Sequence, residues 1–197
     1  MRKKSHILLA TYLADHLEEA KGLQEHRKAF CFGSILPDIR LSFITTRHEF
    51  CGTFEELQRK MKALTECDLS ECEERVFWRK LGEVLHYVAD YFTFPHNKQY
   101  SGNFFAHNKY EKHLKNRLAE IIVSGQADSY TEREIYFEDF TQLVEYLKER
   151  HDSYVRRERN ISDDIVYILS TCYQVFQGIF NLCVSACTFD SSASSII

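Results

Sequence analysis

Two stretches decide the fold: residues 73–93, EERVFWRKLGEVLHYVADYFT, and residues 103–124, NFFAHNKYEKHLKNRLAEIIVS. In the first, Phe77, Leu81, Val84, Leu85, Val88 and Phe92 recur at helical spacing and form one apolar stripe. His86 and Asp90 fall on the opposite face, one turn apart, with the small residues Gly82, Ala89 and Thr93 beside them. Small neighbours let a second helix or an ion come close. In the second stretch the stripe is Phe104, Tyr110, Leu114, Leu118, Ile121 and Ile122, and His107 and Glu111 lie inside it. A carboxylate on a buried face is costly unless something pairs with it. A histidine and a carboxylate at i,i+4 project side by side, the spacing by which a helix offers two ligands to one metal. The same spacing also serves a buried His–Glu hydrogen bond or a solvated surface pair, so each pair alone leaves both readings open.

Working outward, the apolar spacing predicts further helices over 5–21, 25–34, 53–65, 131–151 and 162–187. Ser5 is the expected N-cap of the first and Gly22 its stop. The last carries a stripe of Ile165, Leu169, Cys172, Phe176, Ile179 and Cys183, which reads as core scaffold, as do Phe140, Leu143 and Leu147 before it. With only 7 Gly and 2 Pro in 197 residues, breakers are scarce and long helices follow. The expected architecture is all-α, a single-domain helical bundle over 1–187 with a Ser-rich flexible tail at 188–197.

Hydrophobic residues make up 44%, enough for a sizeable core. A net charge of -4 argues against a nucleic-acid backbone as the main partner, because no basic excess neutralises phosphates. His6, Asp15, His16, Glu18 and Glu19 interrupt any signal-peptide apolar run, and no stretch is expected to reach a membrane span's length, so the chain reads as cytoplasmic with no transmembrane segment. The 7 cysteines include no C-x-x-C pair and are expected to be free thiols, mostly buried.

The remaining candidate residues are individually weak. His6 sits in the stripe of Leu9, Ala10, Leu13 and Leu17, where a lone histidine is more often a satisfied core residue. His16 on the edge of that stripe reads as packing. Asp38 follows Pro37, a common turn pair; His48 precedes Glu49; His96 follows Pro95. In order, however, these positions give His, then Pro-Asp, then His, His-x-x-x-Asp, His and His-x-x-x-Glu.

That ordered set resembles the zinc-dependent phospholipase C family, an all-helical fold around a three-zinc cluster, over 5–111. The ligand logic is similar to that of fungal zinc-dependent single-strand nucleases. Position by position, the resemblance implies one zinc on Asp38, His48, His86 and Asp90, a second on His96, His107 and Glu111, and a third on His6 with the second oxygen of Asp90. It implies two or three Zn2+ per chain and a phosphoric ester hydrolase in which a zinc-bound hydroxide attacks phosphorus in line. Asp38 is the catalytic candidate that orients or deprotonates the water. The substrate is a phosphate ester, phospholipids included.

Two positions depart from the family's pattern. Secreted members present an N-terminal Trp to the third zinc, whereas here Met1–Ser5 precede His6 without a Trp. Choline-preferring members place aromatics beside the loop ligands, whereas Ile39 follows Asp38, and Thr45, Thr46 and Arg47 precede His48. Arg40 and Arg47 suit an anionic group. Alternatives are a nuclease or phosphomonoesterase on the same cluster, or a non-catalytic zinc-stabilised helical domain. An HD-type phosphohydrolase fits less well, its His-Asp occurring only at His151-Asp152. Structural zinc is closed by four protein ligands, and His96, His107 and Glu111 supply three, which favours catalysis.

Overall fold

The computed structural model describes residues 1–17, 21–39, 49–131, 135–157 and 160–193, with backbone alone at 21 and 186–193. Among these the chain is all-helical: α1 Lys3–His16, α2 Lys21–Gly33, α3 Phe50–Thr65, α4 Glu74–Tyr91, α5 Phe104–Val123, α6 Phe140–Val155 and α7 Ile161–Ala193. Two short 3-10 turns, Phe94–His96 and Asp128–Tyr130, lie between them.

α4 is the centre. It packs most extensively on α2 and also contacts α1, α3 and α7. Glycine sets how close α2 and α4 come. A Cβ on Gly82 would collide with the Phe30 carbonyl, and one on Gly33 with the Arg79 carbonyl. This backbone-on-backbone approach buries α4 on nearly all sides: Phe77, Trp78, Leu81, Val84, Leu85 and Val88 on one side, His86 and Asp90 on the other. α7 closes the core. Its stripe of Ile165, Leu169, Cys172, Phe176, Ile179 and Cys183 is fully buried, with Phe176 and Phe180 stacked on Trp78.

Several local expectations are corrected. α1 begins at Lys3, not at Ser5. The Arg2 carbonyl accepts from the Ser5 and His6 N–H groups at 2.8 and 3.2 Å, so Ser5 lies inside the helix, fully buried. α1 ends at His16, and Gly22 is no stop; it belongs to α2, where a side chain would meet Glu74 and Trp78. α6 starts at Phe140 because the Asp139 carboxylate caps it, accepting from the Gln142 N–H at 2.9 Å. α7 is long and apolar enough to cross a membrane by length and composition, contrary to expectation, but 67% of its apolar window is buried inside the bundle. Of the six described cysteines only Cys172 and Cys183 are buried.

Candidate metal centre

The candidate ligands come from five segments, α4 among them. α1 supplies His6, the turn after α2 supplies Asp38, α4 supplies His86 and Asp90, and the Phe94–His96 turn with α5 supplies His96, His107 and Glu111. Asp38 is held by successive turns: Ser34 N–H donates to the Phe30 carbonyl, Leu36 N–H to Gly33 and Ile39 N–H to Leu36, at 3.0–3.1 Å. His48, Arg40, Thr45, Thr46 and Arg47 lie outside the described residues.

Two ligand groups result. His6, Asp38 and His86 present donor atoms within 4.8 Å of one another, and so do His96, His107 and Glu111. Asp90 stands between the groups. Its Oδ1 lies 3.3 Å from His6 Nε2, and its Oδ2 lies 3.4 Å from His86 Nε2 and 3.6 Å from His96 Nδ1. His86 Nε2 is 3.8 Å from Asp38 Oδ1, and His107 Nε2 is 3.2 Å from Glu111 Oε1. The His6 and His86 rings stack at 3.9 Å. The Met1 α-amine is buried in the same place, paired with Asp90, 3.4 Å from His96 Nε2 and 3.7 Å from Glu111 Oε1.

The backbone fixes one tautomer. His86 Nδ1–H donates to the Ser34 carbonyl at 2.8 Å, which leaves Nε2 as the lone-pair nitrogen facing Asp38 and Asp90. The close backbone packing of α2 on α4 at Gly82 and at Gly33 is what brings the end of α2 within reach. Sequence reading did not find Ser34, because a backbone acceptor carries no residue signature.

Charge states match what a cation needs. Burial, then the neighbouring His86, holds His6 well below the ordinary histidine range. Burial lowers His96 to about 3 against the pull of Asp90. Burial alone would raise Asp90, but His96, the Met1 ammonium, His86 and His6 outweigh it and keep the carboxyl well below its usual range. Glu111 behaves alike: burial is overcome by the His107 hydrogen bond and the Met1 amine. Neutral imidazoles and ionised carboxylates are the forms that bind metal.

A divalent ion fits this donor set. Both ring nitrogens of His6 are buried without a hydrogen bond, and the 3.3 Å approach to Asp90 lacks hydrogen-bond geometry. Buried polar atoms left so are uncommon and call for a partner. His16 stands apart. It is exposed, with Nδ1 2.8 Å from the Tyr12 carbonyl, Nε2 3.1 Å from Asp128 and its ring packed on that of Tyr12 at 4.1 Å, away from the candidate ligands. α5 also departs from its expected stripe. Leu114, Leu118 and Ile121 face the core, whereas Phe104 is 76% exposed and His107 and Glu111 sit at the rim.

The site opens into a cavity of about 680 Å³ lined by Met1, Arg2, Lys3, Lys4, Asp38, His96, Phe104, His107, Asn108, Glu111 and Lys115. A helical bundle with clustered imidazoles and carboxylates at the floor of an open cleft is an arrangement that can hold metal ions. A family model described as zinc-dependent phospholipase C matches residues 5–161, and the chain belongs to that family. No curated protein and no solved structure matches it significantly.

Proposed function

We propose that the chain is a zinc-dependent phosphodiester hydrolase that binds at least two ions. The observation carrying this reading is the pair of ligand groups joined by Asp90 beneath an open cavity. His6, Asp38, His86 and Asp90, with His48, are the ligands proposed for one group. His96, His107 and Glu111 are those proposed for the other. Zinc bound there would acidify water and polarise a phosphoryl oxygen. The chain's own residues do the rest. Asp38 is largely but not wholly buried and reaches the cavity, so it can orient a water molecule and accept its proton. Ser34 keeps His86 in the ligating tautomer. Arg2, Lys3, Lys4 and Lys115 line the entrance and favour an anionic substrate over one bearing a quaternary ammonium.

The test is metal analysis of purified protein followed by a substrate panel: a chromogenic phosphodiester, a phosphomonoester, phosphatidylcholine, phosphatidylinositol and single-stranded DNA. At least two zinc-class ions per chain and highest efficiency on a phosphodiester or an anionic lipid are expected. Full metal loading without turnover on any substrate would move the reading to a non-catalytic zinc-stabilised domain.

A further inference from the structure

The rim of the cavity combines features that the chemistry at its floor does not use. Phe104 and Phe105 open α5 and are 76% and 81% exposed, touching each other edge to face. Asn103 caps the helix, its side chain accepting from the Ala106 N–H at 3.0 Å, so both rings are held on an ordered first turn. At 100° per residue, Phe105, Lys109 and Lys112 share one outer face of α5, next to the face that carries Phe104 and Lys115 along the cavity. Across the opening, the start of α1 presents Lys3, Lys4 and the exposed Ile7. Lys3, Lys4, Lys109, Lys112 and Lys115 form no ion pair with a described residue, although the chain as a whole is net acidic at -4. The first turn of α5 has no acidic residue, so the positive end of its dipole adds to theirs.

We propose that this rim docks the protein on an anionic phospholipid bilayer, the two phenyl rings entering the acyl boundary and the lysines lying on the headgroups. Charge complementarity selects this occupant. Two copies packed through the same patch would set lysines against lysines, which a symmetric interface does not tolerate cheaply. A neutral surface would leave the cations without counter-charge, whereas anionic lipid rewards each lysine near its surface. Aromatic side chains beside lysines are the composition of an interfacial anchor. The proposal uses the catalytic reading only in that the cavity opens through the docking face, so that a lipid phosphate would lie at its entrance.

Binding is read separately from turnover. The metal-loaded protein is sedimented with vesicles of phosphatidylcholine alone and with vesicles containing phosphatidylglycerol, while its activity is followed on a soluble chromogenic phosphodiester. Partitioning is expected to be at least about ten-fold stronger on the anionic vesicles and to fall as salt rises. Phe105→Ser, and separately Lys109→Glu with Lys112→Glu, should each weaken it by about ten-fold or more. Neither variant touches the cavity lining, so melting temperature and soluble-substrate turnover should stay as in the parent. Equal partitioning to both vesicles, or unchanged binding in both variants, would overturn the proposal. So would a dimer in sedimentation velocity that Phe105→Ser dissolves, which would assign the patch to a second copy. Vesicle binding without turnover on the soluble substrate would keep the docking surface and remove the catalytic reading; turnover without vesicle binding would do the reverse.

Discussion

His151 Nε2–H donates to Asn97 Oδ1 across 3.0 Å, joining α6 to the residue that follows His96. The assignment is forced from the other side. The Asn97 amide N–H₂ donates to the Tyr91 carbonyl at 3.1 Å and the Thr93 carbonyl at 2.9 Å, so its oxygen must face His151. The His151 ring in turn lies flat on Phe50, 3.8 Å away. A candidate ligand on a short turn is thus tied both to α4 and to α6, a helix that supplies no candidate ligand.

Asn97→Ala removes three buried hydrogen bonds and takes a partner from the Tyr91 carbonyl and the His151 Nε2–H, while the Thr93 carbonyl keeps the His96 N–H at 3.0 Å. We expect a stability loss of about 2–4 kcal/mol, at roughly 1–3 kcal/mol for each orphaned group with partial relaxation. Zinc affinity of the His96 group should fall in parallel, about 10-fold or more. Denaturant titration and competition with a chromophoric chelator measure both. Native affinity in a destabilised variant would show that the clamp serves the fold alone.

Metal should support the fold as well as the chemistry. At a free zinc concentration 100 times its dissociation constant, one ion binding only the native state adds about 2.7 kcal/mol. For a chain of this size that amounts to roughly 5–10 °C of melting temperature. Chelation should lower the melt by that order, and re-addition of zinc should restore it. An unchanged melt after verified removal would contradict a buried, ligand-starved His6.

The metal-free protein should be acid-labile above the ordinary carboxylate range. His96 titrates at about 3 when folded, against about 6.5 in an unfolded chain. Between those values the unfolded state holds more protons, so stability rises with pH across the window and is lost as pH falls from about 6.5. His6, also depressed, acts in the same direction. Asp90, lowered by its cationic neighbours against its burial, adds a further loss below the usual carboxylate pKa. Urea midpoints of chelated protein between about pH 4 and 8 give the curve; a flat profile from neutrality down to pH 5 would contradict the burial of these imidazoles.

Asp38→Asn keeps size and one metal-binding oxygen but cannot accept a proton. Turnover of a chromogenic phosphodiester should drop about 10²–10⁴-fold, the range of a lost general base. Metal content should be partly retained. His16→Gln, which alters a surface contact with Asp128, should change little. Reversal of that order would overturn the proposed role of Asp38.

How much of this was legible differs by level. Side-chain spacing carried the helical class and the two i,i+4 pairs on α4 and α5, because helical period and ligand spacing are both properties of short stretches. It failed where the determinant lay elsewhere in the chain. Phe104 counted as core by its period, yet it precedes the point where α5 meets the bundle, so the ring faces outward. His86 and Asp90 lay on what a period reading calls the polar face, and that face is buried by long-range packing: α2 against Gly82, and His6 of α1 against both residues. Asn97 stood next to a candidate ligand in the sequence, but its function is to bond three partners that no local pattern reveals.

The segment from Phe94 to Asn97 has the composition of a connection, with Pro95 inside it. Besides the Asn97 clamp, its Phe94 N–H donates at 3.3 Å to the Tyr110 hydroxyl, which itself donates to the buried Asp164 carboxylate shared with Tyr154. Exchange with solvent deuterium requires an amide to lose its acceptor and meet water. At Phe94 that would mean drawing the turn away from the Tyr110 hydroxyl, which Asp164 of α7 holds in place. This link between two helices should therefore take up deuterium on the slow timescale of the helices themselves, and the rigidity a ligand turn needs would be visible as a protected peptide in a place where sequence alone suggests a loop.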